Sequence, residues 1–104
     1  MDQKEAAKWV REGMKLARQF PERWTNRGEF LTDDDKVCGC VLGLAGLAAA
    51  QSTMTRDEVT EFVTMGLHEP LGNIFWPISS ASDGSKNVAE MCRRVERILR
   101  KAGL

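Results

Sequence analysis

The sequence predicts an all-α fold: a single small orthogonal bundle of about four helices over residues 1–104, built around a central Gly/Ala/Leu-rich helix. Three observations carry this. Apolar residues recur at spacings of three and four near both ends of the chain, the period of an amphipathic helix. The run from Val37 to Ala50 is apolar on every side, which marks a buried helix in a soluble protein. Helix-start chemistry stands at Thr32 and again at Thr55.

The first helix is expected from about Asp2 to Phe20, with Ala6, Trp9, Val10, Gly13, Leu16, Ala17 and Phe20 on one face and Lys4, Lys8, Arg11, Glu12, Lys15 and Arg18 opposite. Pro21 ends it, because the residue before a proline is pushed out of the helical region. Residues 22–31 hold no sustained period and contain Asn26-Arg27-Gly28, so they read as a loop pinned by Trp24 and Phe30.

Thr32 followed by Asp33, Asp34 and Asp35 places a capping hydroxyl and three carboxylates at the positive end of a helix running to about Gln51. Glycines in that helix oppose it by about 1 kcal/mol each. Close approach of neighbouring helices at Gly39, Gly43 and Gly46 is the expected compensation. Its fourteen apolar residues fall short of the roughly 20 needed to cross a bilayer.

Thr55-Arg56-Asp57-Glu58 is a capping box, opening a third helix to about Gly66 that buries Val59, Phe62 and Val63. From His68 to Asn87 two prolines and several turn residues predict an irregular segment carrying the cluster Ile74-Phe75-Trp76. The last helix places Val88, Met91, Cys92, Val95, Ile98, Leu99 and Ala102 inward and Arg93, Arg94, Arg97, Arg100 and Lys101 outward, with Glu90–Arg94 and Glu96–Arg100 as i,i+4 pairs.

Composition narrows the function. Hydrophobic residues make up 42% and charged ones 29%, with 15 basic side chains against 15 acidic ones, the balance of one ordinary soluble domain. The charge is uneven: residues 1–31 carry seven basic and five acidic groups, residues 32–83 two and eight, residues 84–104 six and two. Such asymmetry can pair ends against middle, within one molecule or between two copies. With no apolar leader after Met1 and an odd number of cysteines, the reading is a cytoplasmic protein with reduced thiols and no membrane association.

Cys38, Cys40, Cys92 and His68 have the ligand types of a Cys3His zinc site. Cysteines two apart on a helix point about 200° apart and cannot face one ion, so no metal is assigned unless residues 36–40 form a loop. Cys38 with His68 as base is the nucleophilic version, and no family-specific cysteine signature surrounds it. No catalytic residue and no cofactor is expected.

Two surfaces remain. Ile74, Phe75 and Trp76 either anchor their loop or form the hot spot of a partner surface. Arg93, Arg94, Arg97, Arg100 and Lys101 form a basic face whose nucleic-acid reading is disfavoured by an isoelectric point of 6.6. The expectation is a non-enzymatic protein acting through protein–protein contacts, with a protein partner or a second copy in a homodimer. A nucleic-acid-binding module on the basic helix is the alternative.

The order of features, a tryptophan loop ending Gly28-Glu29-Phe30, an aspartate cluster, Cys38-Gly39-Cys40-Val41-Leu42-Gly43-Leu44-Ala45, then Ile78 to Asp83 before a helix with Val88, resembles a family of small uncharacterised bacterial and phage proteins. Its core signature is a cysteine, a small or apolar residue, then Leu-Gly-Ala. Ser82-Asp83 stands where such proteins tend to carry Asn-Asp. The resemblance implies an all-helical fold and no established activity, and the protein–protein reading is extended to an accessory factor of a phage or prophage.

Overall fold

A computed structural model describes residues 1–27, 38–50 and 55–104. Helix α1 (Gln3–Gln19) opens where the Asp2 carboxylate accepts the Glu5 N–H at 2.8 Å, and it stops before Pro21 as expected. Ala6, Val10, Gly13, Met14 and Ala17 are buried, with Trp9 and Leu16 half-buried at the edge of that face. Phe20 is 44% exposed and lies outside the predicted core. Its backbone has already left the helix (φ −131°, ψ 73°), and its ring sits 5.5 Å beneath the Arg23 guanidinium.

Helix α2 (Val41–Ala50) is the buried centre, packed against α1 and against the helices that follow. It begins later than the apolar run implies. Residues 38–40 are extended, and Gly39 pairs with Trp24 in an isolated parallel bridge, its N–H donating to Arg23 O and its carbonyl accepting Thr25 N–H. The cause is distant in sequence: Ser82 Oγ accepts the Val41 N–H at 3.1 Å and so caps α2 from across the fold. The capping set Thr32 to Asp35 and the pin Phe30 lie outside the described residues.

Of the glycines expected to admit a neighbouring helix, Gly46 does so: a Cβ there would stand 2.8 Å from Val59 Cγ1 and 3.0 Å from Val63 Cγ2. Gly43 is buried. A tighter contact involves α1, where a Cβ on Gly13 would meet Ala45 N and Val41 O, both at 2.7 Å.

Thr55 caps α3 (Arg56–Glu61) through the Glu58 N–H at 3.2 Å, and its hydroxyl donates to Glu58 Oε1 at 3.1 Å. Gly66 does not end the helix as predicted. A π-helical segment, Phe62–Leu67, carries the chain into α4 (His68–Leu71), and the rod ends only at Gly72, whose φ of +58° suits glycine. The wider π turn opens the backbone ladder at Gly66, whose carbonyl the Pro70 ring would otherwise meet.

The segment read as irregular is largely helical. After a 3-10 turn (Gly72–Ile74), α5 runs Phe75–Asp83 with Pro77 in its first turn, where a missing N–H costs little. Prolines here mark a break followed by a helix start. Helix α6 (Val88–Lys101) is capped by Asn87, whose Oδ1 accepts the Glu90 N–H at 2.9 Å. It buries Met91, Cys92, Val95 and Leu99 and half-buries Val88 and Ile98, while Ala102, already the C-cap, is exposed; both i,i+4 pairs form, Glu90–Arg94 at 2.7 Å and Glu96–Arg100 at 3.3 Å.

A bidentate pair joins the two ends of the chain: Arg11 Nη2 lies 3.0 Å from Glu96 Oε1 and Arg11 Nε 3.2 Å from Oε2. The Arg11 hydrogen bond holds the Glu96 carboxyl below its ordinary range. A depressed carboxyl stabilises the fold above its unfolded value near about 4.3 and loses that contribution as pH falls through the folded value. Melting temperature followed against pH should therefore fall less steeply on the acid side in Glu96→Gln than in the wild type, and identical acid slopes would exclude this pair as a source.

Candidate functional site

The three residues of the predicted partner surface part company. Phe75, the first residue of α5, is 1% exposed and belongs to the main core, Ile74 is half-buried against that core, and Trp76 is 58% exposed. Consecutive helical residues point about 100° apart, so one faces inward and the next outward. His68 closes the cluster: its ring centroid lies 4.4 Å from Phe75 and 5.7 Å from Trp76, and the Phe75 and Trp76 rings meet edge to face at 5.0 Å. The exposed indole is thus held against two other rings. Phe75 is buried, as an anchor of this segment would be, and Trp76 is left exposed. The role of His68 is not legible locally, since the spacing from His68 to Phe75 reads as neighbours only once the turn at Gly72 is known.

The basic face is present and exposed at Arg93, Arg94, Arg97, Arg100 and Lys101. Its members differ in what they do. Arg94 bonds Glu90 and donates to Gly84 O at 3.2 Å, tying α6 to the end of α5, and Arg100 shares Glu96 with Arg11. Arg93, Arg97 and Lys101 form an open row, and Arg18 from α1, which the sequence placed only on a polar face, joins them across a groove floored by Ala89 and Cys92.

The thiols and the histidine do not assemble. Cys38 donates to Glu22 O at 3.3 Å, Cys92 stands beside Arg18 at the α1–α6 groove, and His68 is stacked in the aromatic cluster. The helical argument for keeping Cys38 and Cys40 apart does not apply, because residues 38–40 are extended and residues two apart in an extended chain share a side. What separates them is burial: Cys40 is 1% exposed and Cys38 is half-buried. Burial pushes the Cys40 thiol up to about 11 and raises that of Cys92, against the opposing pull of Arg18. Among the described residues no group of three or more His, Cys, Asp or Glu side chains is placed to hold a metal ion, and no helix is long and apolar enough to cross a membrane.

One polar node organises the interior. Ser82 is fully buried, and its Oγ accepts both the Val41 N–H and the Trp24 indole N–H, each at 3.1 Å, while Asn26 Nδ2 donates to Ser85 O at 2.8 Å. The Trp24 loop is thereby bound to the corner between α5 and α6 and to the start of α2. Ser82→Ala would leave two donors without their acceptor and should cost about 1–3 kcal/mol or more in urea denaturation. A midpoint equal to that of the wild type would exclude the node as a source of stability. The expectation that Trp24 pins its loop holds, through a hydrogen bond to a residue 58 positions away.

The geometry therefore offers two surfaces for a ligand, an aromatic one at α4–α5 and a basic groove at α1–α6. Compared with protein-family models, curated proteins and solved structures, the chain matches none.

Proposed function

We propose that this chain is a non-enzymatic protein that works through protein–protein contact, with Trp76 as the anchor of its partner surface. The observation that carries the reading is an indole 58% exposed yet braced by His68 and Phe75. A braced aromatic side chain gives up little conformational freedom on binding and supplies a large contact area, the properties of an interface hot spot. The raised thiols of Cys40 and Cys92 favour a protein without a nucleophilic cysteine among these two.

Affinity purification from the native host with wild type and Trp76→Ala tests this, since truncating a hot spot typically costs about 2 kcal/mol or more of binding. The variant should lose its co-purifying protein while keeping its melting temperature within a few degrees. Equal recovery of the same partner by both forms would overturn the proposal. The alternative, a nucleic-acid-binding module on the basic α6 face, predicts salt-dependent oligonucleotide binding that is lost with Arg93 and Arg97 and indifferent to Trp76.

A further inference from the structure

Among the described residues, part of the uneven charge falls in two exposed stripes of opposite sign. Arg93, Arg97 and Lys101 repeat every four residues on the outer side of α6, and among the described residues no carboxylate bridges any of them. Arg18 stands across the groove, and the carboxylate of Glu96 is already shared between Arg11 and Arg100. Between the cations the floor is apolar, made by Ala89 and the edge of Cys92. From Ala89 to Lys101 the groove extends about 18 Å at roughly 1.5 Å per residue.

The complementary stripe lies on the rod formed by α3, the π segment and α4. Asp57, Glu61, Met65 and Glu69 also repeat every four residues, and all four are exposed, Met65 at 68%. In a plain α-helix a step of four overshoots one turn by about 40°, so such a stripe would wind around the rod. The wider π turn between Phe62 and Leu67 takes back part of that overshoot. No described cation bridges Asp57, Glu61 or Glu69. The stripe is acidic with an apolar side chain within it, and the groove is basic with an apolar floor, over similar lengths.

We propose that the α6 groove of one copy receives the α3–α4 acidic stripe of a second copy, a head-to-tail self-association. Three considerations favour a second copy over a nucleic acid. The chain carries equal numbers of basic and acidic groups, so copies do not repel one another at long range. The groove has no aromatic ring among its lining residues on which a base would stack. The surface that matches it in charge and length is on the same chain. Because groove and stripe are different patches, the contact is heterologous and builds rings or open chains. It uses neither Trp76 nor its cluster.

Sedimentation velocity of the full chain at low ionic strength tests the assignment. The wild type should gain mass with concentration and return to monomer in high salt. Arg93→Glu/Arg97→Glu and Glu61→Lys/Glu69→Lys should each weaken association roughly tenfold or more, because each sets like charges against one another. Mixed in equal amounts, the two variants should associate again, because the intact groove of one meets the intact stripe of the other and the two reversed patches are once more opposite in sign. All four positions are exposed, and circular dichroism confirms that each variant is folded. Trp76→Ala should associate as the wild type does, which separates this contact from the aromatic one. A wild type that stays monomeric at low salt, a mixture of the two variants that does not associate, or a loss of association in Trp76→Ala would each overturn the proposal. Binding of a single-stranded thymidine oligonucleotide by a monomeric wild type, lost in Arg93→Glu/Arg97→Glu, would overturn it in favour of a nucleic-acid site.

Discussion

Gly13→Ala should destabilise the protein by about 1–3 kcal/mol, the range for overpacking a well-filled contact. Helix propensity alone predicts the opposite sign, a gain of about 1 kcal/mol for replacing an interior helical glycine with alanine. The contact decides, because the added methyl would lie 2.7 Å from both the Ala45 nitrogen and the Val41 carbonyl oxygen. These are backbone atoms of a buried helix, and they cannot swing aside as the end of a side chain can. The chief way to relieve the clash is to move α1 off α2, which would open the main core along Ala6, Val10 and Met14. Thermal melting reads the outcome, at roughly 4–8 °C per kcal/mol for a chain of about this size. A variant that melts at or above the wild-type temperature would show that the two helices are not in backbone contact at Gly13.

Phe75→Ala should cost about 3–5 kcal/mol, the usual loss for emptying a buried aromatic site, while Trp76→Ala one position away should cost no more than about 1 kcal/mol. Phe75 is 1% exposed among Leu67, Leu71 and Ile78 of the same core, and its truncation leaves a cavity. Trp76 loses two ring contacts and little buried surface. Urea denaturation of the pair checks the contrast directly. Equal losses at the two positions would mean that Trp76 is an anchor and would remove the basis for a partner surface there.

The elements legible in the sequence are those whose cause lies within a turn or two. Thr55 and Glu58 cap their helix three residues apart, Glu90 and Arg94 pair across one turn, and the apolar face of α6 repeats at the helical period. Local rules failed from His68 to Asn87. Pro70 and Pro77 were read as breaking helices, yet each sits where a helix tolerates it, beside a π turn and in a first turn. The basic face was legible as a row of exposed residues. Its groove was not, because Arg18 belongs to another helix.

The sequence by itself determined that the chain is helical, that the apolar run ending at Ala50 supplies its buried centre, and that α1 and α6 each turn one apolar face inward. These follow from periodicity and burial, which act on neighbouring residues and need no knowledge of the fold. Only the tertiary structure decided where α2 begins, which of two adjacent aromatics faces solvent, and which charges stand together. Each depends on groups far apart in the chain. Ser82 caps Val41 from 41 residues away, His68 reaches Phe75 and Trp76 only because the chain turns at Gly72, and Arg11 bonds Glu96 across 85 residues. An amide at a helix start takes its acceptor wherever packing supplies one, and packing, unlike period, is a property of the whole molecule.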